Sequence, residues 1–95
     1  MAKFITRIEL KDANEENRND LTEAMIMLGF RDTIIADGVI YKLPGGEYFK
    51  EGDFSRTEIF DEAITAAKST GKFSWVLVTE SIDSSFILQI VGVDK

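Results

Sequence analysis

The chain has 95 residues, 44% of them hydrophobic and 29% charged, with a formal net charge of −6. That length gives room for one core over residues 1–95 and no second domain, and the composition is globular rather than disordered. Cysteine and histidine are both absent, which excludes disulfides, thiolate zinc sites and imidazole general bases and leaves carboxylate, amine, guanidinium, hydroxyl and phenol chemistry.

Residues Lys3 to Leu10 alternate, with Phe4, Thr6, Ile8 and Leu10 on one side and Lys3, Ile5, Arg7 and Glu9 on the other. This period of two predicts a half-buried first strand. In Asp12-Ala13-Asn14-Glu15 a side-chain acceptor is followed three residues later by Glu, and Leu21, Ala24, Met25 and Leu28 then recur at helical spacing. A first helix is expected from there to about Leu28, closed by Gly29. Phe30–Ile35 and Val39–Leu43 are β-rich runs joined through Asp37-Gly38, a hairpin signal. Pro44 stops the third strand, and Gly45, Gly46 and Gly52 mark a loop.

The second helix has the clearest start. Ser55-Arg56-Thr57-Glu58 is a capping box, with Phe54 placed to staple onto Ile59, and Ile59, Phe60, Ala63, Ile64 and Ala67 form its apolar face. Ser69-Thr70-Gly71 ends it. Phe73–Thr79 reads as a fourth strand with Trp75, Phe73 and Leu77 on the side meeting the helices, and Phe86–Val93 as a fifth, apolar on both sides. The order βαββαββ implies an α+β, ferredoxin-like βαββαβ sandwich with an additional C-terminal strand, its two helices on one face of an antiparallel sheet. The last strand completes the sheet beside the fourth or pairs across a homodimer.

No window approaches the ~18 consecutive apolar residues of a membrane span, and Met1-Ala2-Lys3-Phe4 runs directly into a strand pattern. A cytoplasmic protein without membrane contact is expected. The acidic balance repels a polyanion at long range, yet exposed charges are screened beyond ~8–10 Å, so a local basic patch stays open to RNA.

The loop Pro44-Gly45-Gly46-Glu47 lacks the Lys-Ser/Thr of a phosphate loop, and Glu47, Glu51, Asp53, Asp61 and Glu62 lack EF-hand spacing. A solvated loop and an acid-rich helix start account for both. Lys3, Arg7 and Glu9 on the outward side of the first strand, joined by Arg31 and Lys42, would line an open sheet face of the kind that binds single-stranded RNA. Tyr41 and Tyr48 are surface-contact candidates. For acid–base work the candidates are Asp12 and Asp32, with Arg18 or Arg31 to stabilise a phosphorane. Without histidine, phosphodiester cleavage needs either carboxylate-held magnesium or an arginine-led site without a cofactor.

Leu28-Gly29-Phe30-Arg31-Asp32-Thr33-Ile34-Ile35-Ala36-Asp37-Gly38, followed by Tyr41-Lys42-Leu43-Pro44 and the capped second helix, resembles the small bacterial GhoS family. These are antitoxin endoribonucleases of type V toxin–antitoxin pairs. The resemblance covers roughly residues 3–80 and implies a ferredoxin-like fold similar to that of small CRISPR-associated endoribonucleases, together with cleavage of a toxin messenger RNA. In the latter proteins an acidic residue closes the first strand, to which Asp12 is an approximate match.

The leading expectation is an endoribonuclease that cuts single-stranded messenger RNA, with Arg18, Arg31 and Asp12 at the RNA backbone and Arg7, Tyr41 and Lys42 as contacts on the sheet. Its rival is a non-enzymatic protein-interaction or homodimerisation module using the open sheet face or the last strand. A small regulatory ligand-binding domain is a third reading.

Overall fold

The computed structural model describes residues 2–81 and 89–90. The elements are β1 (Ala2–Leu10), α1 (Glu15–Met27), β2 (Thr33–Ala36), β3 (Val39–Lys42), β4 (Glu47–Gly52), α2 (Arg56–Ser69), β5 (Ser74–Ser81) and β6 (Gln89–Ile90). They form an α+β architecture of two helices and two antiparallel sheets, one ordered β4-β1-β5 and the other β2-β3-β6. No helix among the described residues is long and apolar enough to cross a membrane.

The β1 alternation holds as read. Phe4, Thr6 and Ile8 are buried beneath the helices while Lys3, Arg7 and Glu9 are exposed on the opposite side. α1 starts two residues later than expected, because Asn14 rather than Asp12 is the cap. Asn14 and Asn17 bond each other's backbone N–H reciprocally, and Asp12 instead turns the chain at a φ of 53°. Thirteen residues are close to the ~12–15 at which isolated helices are marginal in water. α1 therefore depends on burying Leu21 and Met25 against Phe4, Ile8, Tyr48 and Ile59, at ~1.5–3 kcal/mol per large side chain. α2 keeps its Ser55–Glu58 box and packs on β1, β5 and α1. Its buried stripe is Ile59, Ala63, Ala66 and Ala67, and Phe60 lies outside it.

The hairpin turn is as expected, with Asp37 and Gly38 both at positive φ, the conformation an Asp-Gly type I′ turn needs. The segment after it is not the loop anticipated. Residues 47–52 form β4, which pairs along β1 from Ala2↔Gly52 to Arg7↔Glu47, while Arg31, just before β2, meets β4 through an isolated bridge to Phe49. The alternation was hidden because an inward position of β4 is filled by lysine. Lys50 is only 9% exposed; its Nζ donates to Leu28 O at 2.6 Å and Glu62 Oε1 at 2.9 Å and lies over the Phe30 and Phe54 rings. A buried ammonium is tolerated when its donors are used in this way.

The strand expected over Phe86–Val93 falls mostly outside the described residues. Its described part, Gln89–Ile90, pairs with β3 rather than lying beside β5. The β5 register is also shifted from the expectation. Ser74, Val76 and Val78 face Leu10, Ile8 and Thr6 on the helix side, which sends Trp75 and Leu77 outward instead of into the core.

Candidate nucleic-acid interface

The pleat fixes what the three-stranded sheet shows on the side away from the helices. Cross-strand partners point to the same face, so Glu47, Arg7 and Leu77 form one row, Phe49, Ile5 and Thr79 the next, and Glu9 stands opposite Trp75. Arg31 joins the second row through its bridge to Phe49. Phe73, held beside the end of β1 by the bond from Lys11 N to its carbonyl, meets the Trp75 ring edge-on at 5.6 Å. Phe73, Trp75 and Leu77 are 70%, 52% and 62% exposed. Phe49, by contrast, is buried, as is Leu43, and neither belongs to the helix-side core. The β4 margin of this face is thus covered, and the open strip runs along β5 and β1.

A separate cleft of about 340 Å³ opens where β1 ends, α1 begins and the Gly45-Gly46 turn passes. Gly46 is required there. Its φ is +84°, Ile8 N donates to its carbonyl at 2.8 Å, and a Cβ would stand 2.6 Å from the Ile8 oxygen. Arg18 and Glu9 are the charged groups lining the cleft, and Tyr48 and Thr22 line it as well. The hydroxyls of Tyr48 and Thr22 are 2.8 Å apart. Burial pushes the Tyr48 phenol above its ordinary value; the Thr22 hydrogen bond works against this and the Asp32 charge adds to it. The phenol is accordingly a neutral hydroxyl at physiological pH. One Arg18 nitrogen, Nη1, donates to Ala13 O at 2.8 Å; among the described residues its other donors are free for an anion.

The residues singled out from sequence are divided among three places. Asp12 and Arg18 belong to the β1–α1 junction, Asp12 in the turn and Arg18 on the first turns of α1. Arg31 follows the other end of that helix, ~20 Å away at 1.5 Å per residue, and joins Arg7 on the outer face. Lys42 and Tyr41 lie on β3, in the second sheet. Lys42 forms an ion pair with Asp32 at 3.2 Å, so it does not extend the β1 face as expected. Tyr48 is a core residue at 2% exposure and not a surface contact. Trp75 was the functional candidate sequence reasoning missed, since a large aromatic beside Phe and Leu reads as core by hydrophobicity. The available signal was that Ser74, Val76 and Val78 form an equally regular set on the other parity.

No three Asp or Glu side chains among the described residues converge to hold a metal ion. Comparisons of the chain with protein-family models, curated proteins and solved structures find no match.

Proposed function

We propose that this chain binds single-stranded RNA on the outer face of β1 and β5 and cleaves it, as a cytoplasmic endoribonuclease of the antitoxin type. The observation that carries the binding is the pair Phe73 and Trp75, exposed and edge-to-face on an open sheet with Arg7 in the adjoining row. Aromatic rings on a sheet stack successive bases, and interleaved cations follow the backbone. The antitoxin assignment rests on the sequence resemblance. A ferredoxin-like reading of the fold is supported by its two interleaved units: β4-α2-β5 brackets β1, and β1-α1 leads to Arg31 across β4.

Cleavage is assigned to the β1–α1 end. A ribose 2′-hydroxyl attacks the adjacent phosphorus, the new P–O2′ bond replacing the P–O5′ bond. The Asp12 carboxylate takes the 2′ proton, Arg18 neutralises the phosphorane, and the 5′ oxygen leaves with a proton from water. The product ends are a 2′,3′-cyclic phosphate and a 5′-hydroxyl. Arg31 holds the strand on the sheet.

The test is a mixed pool of labelled single-stranded RNAs incubated with the protein, with and without magnesium, alongside Arg18→Ala, Arg31→Ala and Asp12→Asn. Selective cuts bearing cyclic phosphate ends are expected, lost in Arg18→Ala and Asp12→Asn and weakened in Arg31→Ala. Intact RNA throughout refutes the nuclease. A second reading, a protein-interaction module, is favoured by the exposure of Phe73, Trp75 and Leu77 together with the carboxylates Glu9 and Glu47 on the same face. It predicts partner binding that barely changes with salt, whereas RNA affinity falls as salt rises, by a log–log slope of ~0.7 per backbone contact.

A further inference from the structure

The cleft at the β1–α1 junction holds more polar chemistry than the cleavage step uses. Arg18 is fixed by its hydrogen bond to Ala13 O and, among the described residues, makes no ion pair. Thr22 follows one turn further along α1, so the two side chains share a helix face with ~5–6 Å between their Cβ atoms. The Thr22 and Tyr48 hydroxyls carry one proton each and bond each other through one of them. One O–H and several lone pairs are left over in a part-buried place. Ile8, Leu10 and Leu21 add apolar wall, and Gly45 keeps the cleft open, with nothing within 4 Å of where a Cβ would stand. At about 340 Å³ the space is at the small end of ligand sites, which run from ~300 to ~1,000 Å³.

We infer that the cleft seats a single nucleotide, its phosphate on Arg18, its base between the apolar walls and the polar edge of that base on the Thr22–Tyr48 hydroxyl pair. Simpler ligands fit part of it only. An inorganic anion uses Arg18 and finds a single spare donor at the hydroxyls, while an apolar ligand leaves that donor and its lone pairs without partners. A base has apolar faces and an edge on which donors and acceptors alternate, which aliphatic walls and a mixed hydroxyl pair both match. Glu9, opposite Trp75 on the outer side of β1, borders this cleft and also the shallow hollow lined by Arg7 and Trp75. A strand lying on β1 and β5 therefore reaches the cleft over the end of β1. For its place in a strand the inference rests on the RNA-cleaving reading: the seated nucleotide is the one whose 2′-hydroxyl attacks, and the hydroxyl pair selects its base.

The full chain is titrated with the four nucleoside 3′-monophosphates, and with inorganic phosphate and ribose 5-phosphate as probes that lack a base, while amide shifts are followed by NMR. Saturable binding of at least one nucleotide is expected, with the shifts centred on Arg18, Thr22 and Gly46, and roughly tenfold weaker binding of the probes without a base. Arg18→Ala should lower the affinity by roughly ten- to hundredfold, as for a hydrogen-bonded charge. Thr22→Val combined with Tyr48→Phe removes both hydroxyls together, so neither is left unpaired and the fold is kept; its nucleotide affinity should drop to that of ribose 5-phosphate. The comparison of probes on the wild type decides the matter even where a variant fails to fold. No saturable binding, shifts centred on Trp75 instead, or phosphate bound as tightly as the nucleotides each overturns the inference. Intact RNA beside a nucleotide bound in the cleft refutes the nuclease alone, and cut RNA without such binding refutes the cleft alone.

Discussion

Replacing Trp75 by alanine tests the proposed RNA-binding face directly. The ring is half exposed, its cross-strand neighbour is Glu9, and its aromatic contact is with Phe73, itself largely in solvent. Loss of the ring should thus leave the helix-side core untouched and change stability by less than ~1 kcal/mol, as expected for surface sites. Base–aromatic stacking is worth ~1–3 kcal/mol per base, so the dissociation constant for a labelled single-stranded RNA should rise by roughly 5- to 150-fold. Fluorescence anisotropy measures that change. Trp75 is the only tryptophan, so in the wild type its emission should be quenched as RNA is added, with the same midpoint as the anisotropy. Arg7→Ala should retain the quenching while reducing the slope of log affinity against log salt by ~0.7, the value for one backbone charge on a single strand. RNA that binds without quenching Trp75, or binds Trp75→Ala as tightly as wild type, refutes the stacking platform.

Three further outcomes concern the scaffold. Thr6 Oγ1 is fully buried with no hydrogen-bond partner among the described residues; Thr6→Val should stabilise by ~1 kcal/mol, seen as a melting-temperature rise of ~4–8 °C for a domain this size. Lys50→Met removes the donor to Leu28 O and Glu62, and Glu62 is a third exposed and can rehydrate, so we expect a loss of ~2–3 kcal/mol in urea unfolding rather than the full cost of a stranded buried charge; an unchanged midpoint would show that the ammonium contributes nothing. Tyr48 has its folded-state pKa raised by burial, so stability is intact below the unfolded value of 10.0 and falls as pH climbs through the folded one; Tyr48→Phe should start less stable by ~1 kcal/mol for the lost Thr22 bond yet show a flatter decline in a pH series from 9 to 12.

Where local chemistry and burial agree, the structure was legible in the sequence. The Ser55–Glu58 box, the Asp37-Gly38 turn and the β1 alternation each have one physical solution, and each appears as read. Two of the failures share one cause, a side chain whose hydrophobicity misreports its face. Lys50 is charged but faces the helices, because Glu62, Leu28 O and two aromatic rings receive it, and no local pattern announces the partners Glu62, Leu28 and Phe30, which lie twelve or more residues away. Trp75 is apolar but faces out, because the space beneath α2 is filled by the smaller Val76 and Val78 against Ile8 and Thr6. Both errors moved the candidate site, the first by hiding the strand that carries Arg31 to the outer face and the second by assigning its best stacking group to the core. Asp12 and Arg18 both fall at the β1–α1 junction, the first in its turn and the second on the helix that follows.

The same geometry bears on the chain's acidity. α1 carries Glu15, Glu16, Asp20 and Glu23 against the single Arg18, all exposed, and α2 adds Glu58, Asp61 and Glu62 against Arg56 and Lys68. The acidic excess is therefore concentrated on the helix layer. On the outer face Lys3, Arg7 and Arg31 balance Glu9, Glu47 and Glu51, placed there by the strand registers. Helices and sheet are separated by ~10 Å, about one Debye length at physiological salt, so a strand of RNA on the sheet meets a locally neutral field. Affinity on such a face must come from stacking more than from charge. Trp75→Ala should accordingly cost more than Arg7→Ala at physiological salt, and the reverse order in the same titration would place the RNA somewhere other than β5.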